Sequence, residues 1–189
     1  MEGRLVILSG PSGVGKDTLL AAWQARNPRV QRVVAYTTRG SREGEEDGRD
    51  YHFVSVPAFV LMAESGKFLE WKIVHGNYYG TPLADMEALL EQGKIAILKI
   101  DVHGAIAAMD RRSDAISIFI QPPSWEELEA RIRGRALDSP EVIEKRLQNA
   151  REEIELSDRY HYQVVNRDLD VAVSDLEKVV NASQSLPFL

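Results

Sequence analysis

Short apolar runs mark the chain at Leu5-Val6-Ile7-Leu8, from Lys94 to Ile100 and from Ile116 to Ile120, with a last strand-like stretch from Tyr162 to Val165. Runs of this length without polar alternation suit strands buried on both faces, as in a parallel sheet. Between them the spacing turns helical. Leu83, Met86, Leu89 and Leu90 fall on one face, as do Val142, Ile143, Leu147, Ala150 and Ile154, and again Leu169, Ala172, Val173, Leu176 and Val180. Thr81-Pro82 reads as an N-cap followed by proline at the first helical position, and Ser139-Pro140 opens the second of these helices. Ser124 with Glu127 is a capping-box signature for a helix through Arg133. Strands alternating with helices give an α/β architecture, a parallel sheet covered on both faces.

One region breaks the alternation. Arg32 to Thr37 reads as a second strand, and the Gly-, Arg- and Glu-rich stretch from Thr38 to Asp50 as a loop. Tyr51 to Val56 alternates like a strand, Pro57 to Glu64 is a short helix ended near Gly66, and Phe68 to Tyr79 is extended with a turn at Gly76-Asn77. Residues from about Ala35 to Thr81 are therefore expected to form a small β-rich lobe beside the main sheet.

The first apolar run leads into Gly10, Pro11, Ser12, Gly13, Val14, Gly15, Lys16, Asp17 and Thr18, and the helix-forming Leu19-Leu20-Ala21-Ala22-Trp23 follows. Strand, glycine-rich loop, lysine and helix are the context of a phosphate-binding loop. Successive amides surround a phosphate, the helix N-terminus adds partial positive charge, and Lys16 reaches the β/γ oxygens. The position after Lys16 should be Ser or Thr for magnesium, and here it is Asp17, with Thr18 one step late.

Composition narrows the class. The 189 residues form about one domain with room for a substantial core. With 23 basic and 29 acidic side chains the net charge is 23 − 29 = −6, which speaks against nucleic-acid polymers and anionic membranes as partners. The chain has no cysteine, so disulfides, thiolate catalysis and Cys-ligated metal are excluded. With no signal-peptide pattern and no apolar run of membrane-spanning length, the expected setting is the cytoplasm.

A second candidate phosphate site lies in the loop Arg39-Gly40-Ser41-Arg42-Glu43-Gly44-Glu45. Two guanidinium forks three residues apart suit a dianion, with hydroxyl donors available from Tyr51 and Tyr79, although Glu43, Glu45 and Glu46 also offer the arginines local ion pairs. Two phosphate sites are what a kinase acting on a phosphorylated acceptor needs.

At this point the residues resemble the guanylate kinase family, from Leu5 to about Leu176. The resemblance is carried by Gly10 to Lys16, Thr37-Thr38-Arg39 with Arg42 and Gly44-Glu45, Gly48 with Asp50-Tyr51, Phe68-Leu69-Glu70-Trp71, Gly76-Asn77-Tyr78-Tyr79-Gly80-Thr81, Asp101 with Gly104, Pro122-Pro123-Ser124 and Gly134-Arg135. It implies a P-loop NTPase-type core (1–34, 82–123 and 147–189), a GMP-binding lobe (35–81) and a helical lid (124–146). It further implies transfer of the ATP γ-phosphoryl group to GMP with Mg²⁺, by a monomer or homodimer whose partners are ATP and GMP. Arg39, Arg42, Tyr51 and Tyr79 would then hold the GMP phosphate, with Glu45 among the GMP-binding residues. Glu70 and Thr81 would read guanine, with Asp101 near its exocyclic amine. Lys16, Arg131, Arg135 and Arg146 would neutralise the migrating phosphoryl group.

The residue types suit that chemistry. The acceptor phosphate oxygen is already anionic at neutral pH, so no general base is needed and positioning with charge neutralisation carries the catalysis. A carboxylate at Glu70 accepts from guanine N1–H and the 2-amino group together, whereas adenine would leave it desolvated and unpaired. The sequence also departs from the family. Ala35 stands where a serine hydroxyl is usual, Lys99 where an acidic residue often precedes Ile-Asp, Ala136 where the lid has glycine, and Arg167 where an acidic residue follows Asn166. Asp17 either binds Mg²⁺, directly or through water, or caps the helix N-terminus; the metal-linked role is preferred. Its Lys-Asp pair also resembles kinases of ribose 1,5-bisphosphate, and guanylate-kinase-like scaffold domains are a second alternative. Glu70 and Thr81 speak against the first, and Lys16 with the arginine lid against the second.

Overall fold

The computed structural model describes residues 2–74, 76–134 and 139–183. Strand β1 (Arg4–Ser9) lies at the centre of a five-stranded sheet. It pairs in parallel with β7 (Ile95–Lys99) on one side and β8 (Ile116–Gln121) on the other. Beyond them lie β2 (Val30–Arg32) and β9 (Tyr162–Val165), also parallel. Successive residues of a strand point to opposite faces. Val6, Leu8, Ile97, Ile118 and Ile120 enter one core, with Leu19, Leu20 and Trp23 of α1 (Lys16–Arg26) and Leu176 and Val180 of α7 (Leu169–Ala182). Leu5, Ile7, Ala96, Leu98 and Phe119 enter the other, under Met86 of α3 (Leu83–Glu91) and Val102, Ala105 and Ala108 of α4 (Val102–Arg111). Continuous apolar runs were required because both faces are covered.

Helices α5 (Trp125–Arg133) and α6 (Pro140–Glu155) add Leu128, Ile132, Leu147 and Ala150 to the first core. A second sheet forms the lobe, in the order β4 (His52–Phe53), β3 (Tyr36–Thr37), β6 (Asn77–Pro82) and β5 (Phe68–Val74). Helix α2 (Val56–Glu64) packs on it through Phe59, whose ring stacks on Phe68 with centroids 4.6 Å apart. Gly80 passes directly beneath. A Cβ there would lie 2.9 Å from the Phe59 ring and 3.0 Å from Phe68, so no side chain fits. No helix among the described residues is long and apolar enough to cross a membrane.

Three local expectations are corrected. Arg32 to Thr37 is two strands in two sheets. Val33 remains buried in the core and donates its N–H to Ile97 O at 3.0 Å, whereas Tyr36 already packs against His52 and Phe68 of the lobe. Thr81 is not the N-cap of α3. Pro82 holds that position without a side-chain cap bond, because Thr81 is buried in β6 opposite Glu70 and gives its hydroxyl to that carboxylate. Ser124 caps α5 by accepting from Glu127 N–H, but the Glu127 carboxylate turns to Arg131, so half the capping box forms. Helix α4 went unforeseen. Its signal was Asp101, which caps it by accepting from Gly104 N–H at 2.9 Å, and the buried spacing Val102, Ala105, Ala108.

Candidate active site

The loop after β1 reverses over its glycines. Gly10 has φ 147°, and a Cβ there would meet Ile120 O at 2.5 Å; Gly15 has φ 96°, with Asn166 Nδ2 2.8 Å from its Cβ position. Only glycine satisfies both the angle and the approach. Asn166, at the end of β9, donates to Val14 O at 2.8 Å and fastens the loop to the sheet, while Arg131 of α5 reaches the same carbonyl at 3.4 Å. Lys16 opens α1 and folds its ammonium back over the loop, donating to Gly10 O and, at 3.1 Å, to Pro11 O. Burial pushes this ammonium down to about 8, against the opposing pull of Glu153.

Glu153, from α6, was not anticipated. Its carboxylate accepts the Ser12 N–H at 3.2 Å, one of the amides of the loop. Burial pushes its carboxyl above the ordinary range, and Lys16 opposes the shift. The available signal was its position three residues after Ala150, which α6 buries in the first core.

Asp17 forms an ion pair with Lys99 at the end of β7. Burial works to raise the Asp17 carboxyl, but the Lys99 ammonium, with Arg32 and Lys16 further off, holds it below the ordinary value. Two departures from the family pattern are thus partners in space. Among the described residues no group of three or more His, Cys, Asp or Glu is placed to hold a metal ion.

Across from the loop the lobe presents Glu70, 6% exposed, on β5. Thr81 on the neighbouring strand donates its hydroxyl to Glu70 Oε1 at 2.5 Å, which leaves the second carboxylate oxygen unused by that bond. Burial pushes the Glu70 carboxyl up, opposed by the Thr81 hydrogen bond and by the cations Lys72 and Arg111. Asp101, capping α4, meets the Lys72 ammonium. One cavity of ≈ 340 Å³ is walled by Gly10, Ser12 and Lys16 of the loop, by Ala35, Tyr51, Glu70, Lys72, Tyr79 and Thr81 of the lobe, and by Lys99, Asp101 and Glu153.

The remaining expected residues stand apart from those walls. Arg39 makes a bidentate pair with Glu45 at 2.9 and 3.0 Å, and Arg42 donates its backbone N–H to the same carboxylate at 2.8 Å. This cluster adjoins the cavity through Tyr51, whose ring centroid lies 5.5 Å from the Arg39 guanidinium. Arg131 pairs with Glu127 at 3.4 Å besides reaching the loop, and Arg146 lies on α6. Arg135 and Ala136 fall outside the described residues.

Comparison with known proteins places this geometry. The family model for guanylate kinase matches residues 2–183. The guanylate kinase of Aromatoleum aromaticum is 46% identical over 184 residues, covering 97% of this chain and 90% of that protein. That of Gloeobacter violaceus is 46% identical over 177 residues, covering 94% and 86%. Among solved structures, guanylate kinase from Anaplasma phagocytophilum superimposes with a TM-score of 0.77 at 33% identity, covering 98% of this chain and 88% of that one.

Proposed function

The chain belongs to the guanylate kinase family and is an ATP:GMP phosphotransferase, and on that premise we propose how its own residues divide the reaction. The loop amides from Gly10 to Thr18 and the Lys16 ammonium take the ATP phosphates, held in place by Asn166 behind Val14. Glu70, locked by Thr81, accepts from guanine N1–H and the 2-amino group, and Asp101 stands near that amine. Tyr51 and Tyr79 meet the acceptor phosphate from the cavity wall. Arg39 and Arg42 reach it on giving up part of their hold on Glu45.

Mg²⁺ accompanying ATP would supply charge neutralisation at its phosphates; Asp17, beside the loop, would hold it directly or through water, on sharing its carboxylate with Lys99. Lys99 holds the Asp17 carboxylate ionised at that end of the cleft. The acceptor oxygen attacks as an anion, in line with the leaving ADP. Lys16, with Arg131, Arg135 and Arg146 of the lid, meets the charge that develops on the migrating group.

The observation that carries the reading is the shared cavity, in which a phosphate loop with its lysine faces a buried Glu70–Thr81 pair. A coupled assay of ADP formation with GMP, AMP and ribose 1,5-bisphosphate tests it. Turnover is expected on GMP, with AMP at least about a hundredfold less efficient, since adenine leaves Glu70 unpaired. Turnover on ribose 1,5-bisphosphate in place of GMP would overturn it, as would turnover on none of the three.

A further inference from the structure

Lys72 has no place in the phosphoryl-transfer scheme, yet it stands within the acceptor cavity. It lies two residues beyond Glu70 on β5, so the pleat puts both side chains on one face; Glu70 pairs across to Thr81, and Lys72 to Tyr79. Its ammonium meets Asp101 Oδ2, while Asp101 Oδ1 is taken by Gly104 N–H at 2.9 Å. The bare Cα of Gly104 leaves a gap that three groups surround. A Cβ built there would lie 3.3 Å from Glu70 Oε2, 3.5 Å from Asp101 Oδ1 and 3.5 Å from Lys72 Nζ.

Two half-buried or buried carboxylates so close together repel each other, and the usual result is that one of them takes a proton. A protonated Glu70 would put an O–H donor on one of the two oxygens that guanine N1–H and the 2-amino group both need as acceptors. We propose that Lys72 is a positioning residue for the acceptor base: it is the counterion that keeps Glu70 and Asp101 both ionised and fixed, so that both can receive donors from the guanine edge. The inference rests on the reading of GMP as acceptor.

The groups around Glu70 come from each element packed against it. Thr81 is on β6, Lys72 on β5, and Asp101 and Arg111 are at the two ends of α4. Arg111 donates to Leu69 O at 2.7 Å and so remains nearby as a weaker second cation. Glu153 of α6 acts on Lys72 from the loop side. Burial raises the Glu70 carboxyl and Lys72 works against that rise, so deleting the cation moves the carboxyl further up. The base site then fails first on the acid side.

Lys72→Met tests this, with Lys72→Arg as the charge-conserving comparison and Lys72→Gln as a second neutral variant that keeps a polar head. In the neutral variants KM for GMP should climb as pH falls, with the acid limb of kcat/KM moved up by about one unit, a tenfold loss at the acid end. Saturating kcat and KM for ATP should hold at their wild-type values, and Lys72→Arg should restore the wild-type limb. Calorimetric titration of GMP without ATP should show the same pH shift in affinity. Acid limbs that coincide in all four proteins would overturn the assignment, as would equal losses in the arginine and neutral variants. A wild type that fails to phosphorylate GMP would overturn the function reading along with this one, which separates the two failures.

Discussion

At position 35 the cavity wall carries only a methyl group, facing the same space as Glu70 and Thr81. A serine there would add a donor toward guanine O6, worth about 0.5–1.5 kcal/mol, or roughly two- to tenfold in affinity. Ala35→Ser should therefore lower KM for GMP by that factor and keep the preference for GMP over AMP; steady-state kinetics with both acceptors checks it. Other residues of the site differed in how readily they could be read from sequence. Lys16 was legible because a local pattern places it, a loop between strand and helix, whereas Glu70 was singled out only through the family resemblance, since a carboxylate on an extended segment carries no local sign that it is buried. Asp17 and Lys99 were each noticed as departures, but their ion pair joins residues far apart in sequence, and only the fold brings them together. Lys72 carries its own sequence signal, since a charged residue two places from Glu70 on a strand must share its face.

Among the elements, the phosphate loop depends on a strand contributed from near the other end of the chain. Asn166 follows β9, and its amide is the buried partner of Val14 O, beneath the arch that Gly13 and Gly15 make possible. Asn166→Ala removes that donor and leaves the carbonyl with only the long Arg131 contact, a cost of about 1–3 kcal/mol. The expected outcome is a Tm lowered by several degrees and a raised KM for ATP, with KM for GMP little changed; thermal melts and two-substrate kinetics measure both. The main sheet was legible because burial on both faces writes itself as unbroken apolar runs. The lobe was less so. Its strands β3 and β4 are two residues each, too short for any alternation to register, and they are held by Tyr36, His52, Phe59 and Phe68 packing across elements. The switch of sheets at Val33 to Ala35 escaped for the same reason, because an apolar run looks alike whether one sheet or two claim it.

Across the whole molecule, the two sheets bring the residues proposed to hold ATP and GMP to one cleft, but arginines expected at the acceptor and the transferring phosphates are engaged elsewhere. Arg39 is clamped on Glu45, and Arg131 reaches Glu127 and Val14 O. We expect lobe and lid to move inward to bring them to the phosphates, a closure that would also keep water from the γ-phosphate. Small-angle scattering should show a smaller radius of gyration with a non-hydrolysable ATP analogue and GMP together than with neither; an unchanged radius would count against closure. The contact between Glu153 and Ser12 N–H gives the cleft a further property. The carboxylate is an anion that α6 holds against an amide of the loop proposed to receive phosphate, so the two are expected to compete for that amide. If the loop takes the ATP phosphates as proposed, a bound nucleotide has to displace that contact, and the affinity for ATP is expected to be lower than that of the loop without it. Glu153→Gln, which keeps an oxygen for the Ser12 amide but drops the charge, should bind ADP several-fold more tightly in a calorimetric titration. Weaker binding would identify the carboxylate as a strut of the loop rather than its rival ligand.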